Sequence, residues 1–121
     1  MIPNWVVGLV IGFVVRQIKK YGEDLNWAEV KADLDVALRS ALPDFIEDAA
    51  VELAFNAVDI FKGVLLSEDL KAIAEKLLLG DVGAALMLLK DVILRLIHPT
   101  NPILATKMAD ACDDMACSAQ A

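Results

Sequence analysis

Residues 2–15, Ile-Pro-Asn-Trp-Val-Val-Gly-Leu-Val-Ile-Gly-Phe-Val-Val, carry no charge, and the run stops at Arg16-Gln17-Ile18-Lys19-Lys20. A stretch this apolar has to leave water, so whatever fold the chain adopts must bury it in protein or in lipid. As a helix the run covers roughly 21 Å, short of the roughly 30 Å of hydrocarbon in a bilayer. It could span only with local thinning or with snorkelling of the flanking cations. A cleavable signal peptide carries its positive charges before the apolar region, the reverse of this order.

Two readings of the segment therefore compete. In one it is the buried centre of a bundle or an oligomer contact. In the other it is a membrane anchor, with Trp5 at the outer interface and Arg16, Lys19 and Lys20 on the cytoplasmic side. The contact residues on either reading are Trp5, Val6, Leu9, Val10, Phe13, Arg16, Lys19 and Lys20. Gly8 and Gly12 form a G-x-x-x-G pair that permits close helix packing.

The chain has 121 residues, enough for one hydrophobic core and not for two. Apolar residues make up 58% of it, above the 45–50% of ordinary soluble domains. The surplus implies a membrane, a homo-oligomeric interface or a partner's groove. Charge is divided unevenly: residues 1–22 hold three cations and no acid, while residues 23–121 hold all 18 acids against 8 bases. An acidic body without a basic stripe argues against nucleic-acid binding. The short basic cluster suits an anionic membrane surface better.

Beyond residue 22 the pattern is helical throughout. Gly22 is placed to end the first helix, and Asn26, with Glu29 three residues on, to cap a second over 27–42. Its apolar side is Trp27, Val30, Leu34, Ala37, Leu38 and Ala41, with Glu29, Lys31, Asp33, Asp35 and Arg39 facing away. Pro43 predicts a bend before a third helix over 44–62, with a polar stripe of Asp44, Asp48, Glu52, Asn56 and Asp59 and nearly everything else apolar. Gly63 and Ser67 mark the next boundary. A fourth helix follows to Leu79, buried through Leu70, Ile73, Ala74, Leu77 and Leu78, with Lys71 and Glu75 one turn apart. Gly80 ends it and Asp81 caps a fifth helix over 82–97, whose only charges are Lys90, Asp91 and Arg95, so that it should be largely enclosed. His98-Pro99-Thr100-Asn101-Pro102 breaks the chain before a sixth helix through Ile103, Leu104, Met108 and Met115. Residues 117–121 should fray.

Chemistry is sparse. The single histidine, His98, sits at a helix end, where a partial positive charge suits the dipole. Nucleophilic catalysis needs a base beside a serine or cysteine, and Ser40, Ser67 and Ser118 offer little. Asp110, Asp113 and Asp114 with Cys112 and Cys117 form the one cluster of ligand types, but it meets neither the zinc nor the calcium pattern. The two cysteines, five apart, point about 140° apart on a helix, which predicts free thiols in a reducing compartment. Phosphate loops and the common hydrolase motifs are missing. No catalytic, cofactor or metal residue is assigned.

The expected fold is an all-α bundle of five to six helices: an apolar amino-terminal helix over 1–22, a bundle over 23–116 and a tail over 117–121. The expected function is non-enzymatic. It is that of a structural or assembly protein docking through its first helix into a membrane or into copies of itself, as a viral or phage component would, and so either membrane-associated with the acidic body on the cytoplasmic side or part of a cytoplasmic or virion assembly. A soluble helical module for a partner helix or lipid, and a membrane-perturbing lysis or pore-forming protein, are the alternatives.

Overall fold

In the computed structural model the described residues, 4–41 and 48–120 (side chains of 5–40 and 51–117), form six helices and no strand. They are α1 (Asn4–Tyr21), α2 (Trp27–Ala41), α3 (Asp48–Val64), α4 (Ser67–Leu78), α5 (Val82–Val92, continued by a π turn over Ile93–Ile97) and α6 (Pro102–Gln120). The expectations for Pro43 and for residues 44–47 fall outside the described residues.

The boundaries follow from local chemistry. Gly22 takes a positive φ of 59° past the end of α1, a conformation that costs glycine least. The Asn26 carboxamide oxygen accepts the N–H groups of Ala28 and Glu29 and so opens α2. Ser67 is the first residue of α4, but the capping group is Asp69, whose carboxylate reaches back to the Leu66 N–H at 3.0 Å. The corner between α4 and α5 is tight. Gly80, with φ 81°, donates to Leu77 and Asp81 donates to Lys76, a pairing that satisfies the last carbonyls of α4. The Asp81 carboxylate meanwhile accepts the Ala84 N–H and starts α5.

Three expectations are corrected. Gly63 does not end α3, which runs on to Val64; one glycine in a helix costs only about 1 kcal/mol, less than the packing on either side supplies. Leu78 faces out, 72% exposed, because the α4–α5 corner leaves nothing over it. The fifth helix is not enclosed: Met87, Leu88, Leu94 and Leu96 remain exposed. The last helix, α6, runs to Gln120 with no glycine or proline after Pro102.

The core explains where the opening segment goes. Val6, Val7, Val10, Ile11, Phe13, Val14, Val15 and Ile18 are buried, and α1 packs against α2, α3, α4 and α6. It is a central element of the bundle. Around it α2 pairs with α3, α4 with α5 and α5 with α6. Among the described residues no polar or charged side chain is buried, and no buried side-chain polar atom lacks a hydrogen-bond partner. Ion pairs tie helices together at the rim, among them Lys31 with Asp59 at 2.7 Å and Lys90 with Asp113 at 2.9 Å.

Candidate functional site

At 100° per residue, Trp5, Leu9, Arg16 and Lys20 fall within about 60° of one another on α1. All four are exposed, and so is Lys19 on the neighbouring flank. The outward face of the helix is thus a narrow strip, apolar in its first half and cationic in its second. Val6, Val10 and Phe13, also read from the sequence as contact residues, lie inside the bundle instead. The cations lean on aromatic rings: the Arg16 guanidinium stands 5.9 Å from the centre of Phe13, and the Lys20 ammonium 5.2 Å from that of Tyr21. No acid occurs within residues 1–22 to neutralise them.

Shallow grooves flank the strip. On one side Leu9, Phe13 and Arg16 of α1 with Leu34, Ala37 and Leu38 of α2 line a recess of about 150 Å³. On the other, Gly8 and the α6 residues Lys107, Asp110, Ala111, Asp114 and Met115 line one of about 400 Å³. The two glycines differ in what they do. Gly12 is buried, and a methyl group there would lie 3.7 Å from the Met115 side chain, whereas one at Gly8 would meet nothing within 4 Å. The pair thus lies along the α6 side of α1, Gly12 against a neighbour and Gly8 at the open groove.

The carboxyl-terminal cluster is split up by the fold. Asp113 holds Lys90, both carboxylate oxygens lying 2.9 Å from the ammonium. That hydrogen bond is the chief reason the lysine sits above its ordinary 10.5, against the opposing effect of desolvation. Cys112 points into the core, where burial and then the Asp113 charge push its thiol up to about 12. Cys117 is exposed. Asp110 and Asp114 face the groove beside Gly8. No three His, Cys, Asp or Glu side chains converge among the described residues. His98 is exposed.

A second apolar surface was missed by the sequence reading. It comprises Met87, Leu88 and Leu94 along α5; Leu78 and Leu79 at the α4–α5 corner are exposed as well. The signal was present in Asp91 and Arg95, which mark the solvent side of the helix; Met87, Leu88 and Leu94 lie three or four residues from Asp91 and must share its face. No helix among the described residues is long and apolar enough to cross a membrane. No family model, curated protein or solved structure matches the chain.

Proposed function

We propose that this protein is a non-enzymatic structural component of a larger assembly that docks peripherally on an anionic membrane through the outward strip of α1. The observation that carries the reading is the alignment of Trp5 and Leu9 with Arg16 and Lys20 on one exposed face of a helix whose other side belongs to the core. An indole and a leucine suit the headgroup boundary, and basic residues on the same face suit anionic lipid. Each cation near such a surface contributes about 1 kcal/mol, so Arg16, Lys19 and Lys20 together supply about 3 kcal/mol, on the order of 100-fold in affinity. The net charge of −7 opposes approach. Asp110 and Asp114, in the groove beside Gly8, oppose it locally, while charges more than a Debye length of about 8 Å from the lipid are screened.

Docking of this kind leaves the bundle folded, which favours it over both spanning and pore formation. Catalysis has little to work with in the chemistry described above, since the Cys112 thiol is buried and protonated at neutral pH.

Flotation with phosphatidylserine-containing vesicles, beside pure phosphatidylcholine vesicles, tests the reading. Binding to the anionic vesicles alone is expected. It should weaken as salt is raised and disappear in a chain carrying Arg16→Glu, Lys19→Glu and Lys20→Glu, whose fold is checked by circular dichroism. Equal binding of that variant, or no binding of the native chain at low salt, would overturn it.

A further inference from the structure

We propose that the exposed face of α5 is the contact by which two copies of this chain pair, antiparallel and about a two-fold axis. Ala84, Met87, Leu88, Asp91, Leu94 and Arg95 each lie three or four residues from others of the set along one side of the helix, the seam by which one helix packs along another. Met87, Leu88 and Leu94 are exposed on it although they are apolar. The π turn over Ile93–Ile97, closed by the His98 N–H donating to the Ile93 carbonyl at 3.0 Å, enlarges the face. Leu89 is fully buried, yet Leu96, one heptad later, is 40% exposed because the wider turn has rotated the helix out of phase.

The charges select the occupant. Asp91 and Arg95 are opposite in sign, one turn apart, and both largely exposed, their own contact being a long 3.5 Å. The exposed side chains of α5 on this face carry no net charge, and in this order they are complementary to themselves once turned by a two-fold: Asp91 of each copy meets Arg95 of the other, with Leu94 near the axis. A basic or acidic partner would find half of the face repulsive. Beside this face, between α4 and α5, lies a recess of about 170 Å³ lined by Asp69, Ala72, Ile73, Leu88, Asp91, Val92 and Arg95, in which Asp69 is already engaged as acceptor of the Leu66 N–H. The α1 strip takes no part, so this pairing and the membrane reading stand or fall separately.

Sedimentation velocity over a range of concentrations, on the native chain and on Asp91→Arg and Arg95→Asp chains, is the test. The native chain should dimerise, and each variant alone should do so at least about tenfold more weakly, since like charges then face each other. An equimolar mixture of the two variants should recover the dimer, because one chain then presents a pair of arginines to a pair of aspartates on the other. Both side chains are exposed, so the variants should keep the native helical spectrum. A native chain that stays monomeric throughout, variants that dimerise as well as it does, or a mixture that fails to recover would each overturn the proposal.

Discussion

Cys112 and Cys117 stand five residues apart on one helix and meet opposite environments. Burial holds the Cys112 thiol at about 12, while Cys117 is exposed. A thiol-specific reagent at pH 8 should therefore modify one cysteine per folded chain quickly and the second only on unfolding; two fast thiols would place Cys112 outside the core. The same burial sets a pH dependence. The folded pKa lies above the ordinary value of 9.0, so the contribution to stability is complete below pH 9 and is lost as pH rises towards 12. Lys90, raised above 10.5 by Asp113, acts in the same direction at the top of that window. Urea midpoints should fall between pH 9 and 12, and Cys112→Ala should flatten the fall while lowering the midpoint at neutral pH. At this scale the sequence could say that the thiols diverge by about 140°, but not which one faces inward, because that depends on where α5 and α6 meet.

Among the helices, the glycines divide by backbone conformation. Gly63 lies within α3 with no positive φ and open space where a methyl group would go. Gly80 has φ 81° and closes the α4–α5 corner. Gly63→Ala should stabilise the protein by about 0.5–1 kcal/mol and Gly80→Ala should destabilise it by at least about 1 kcal/mol, both measurable by chemical denaturation. Opposite signs at either site would contradict the helix boundaries. The caps at Asn26, Asp81 and Asn101 were legible in the sequence because each depends on atoms within three residues of itself. The π turn was not legible, since its phase shift rests on Ile93 and Ile97 both being held by the bundle. Nor was the exposure of Leu78, which depends on the geometry of a corner rather than on periodicity.

For the molecule as a whole, the question posed by residues 2–15 was whether an apolar segment serves the chain's own core or something outside it. The fold divides the helix between the two: eight side chains inward, and a strip led by Trp5 and Leu9 outward. Composition identified the excess of apolar side chains but not its location, and much of it lies on α4 and α5 rather than at the amino-terminal end. Burying each of the eight contributes roughly 1.5–3 kcal/mol. Their sum, roughly 12–24 kcal/mol, is as large as or larger than the roughly 5–15 kcal/mol that stabilises a typical domain, so a chain lacking residues 1–22 would not keep this fold. Substitutions on the strip are therefore the informative way to probe docking.

Hydrogen exchange along α1 is the most direct measure of this division. The amides of residues 10–18 should exchange as slowly as those of α5 and α6, both in the free protein and on anionic vesicles, since the helix docks without leaving the bundle. Fast exchange there in the free protein, or loss of protection across α5 and α6 once vesicles are added, would show that the first helix is a separable anchor and contradict the account.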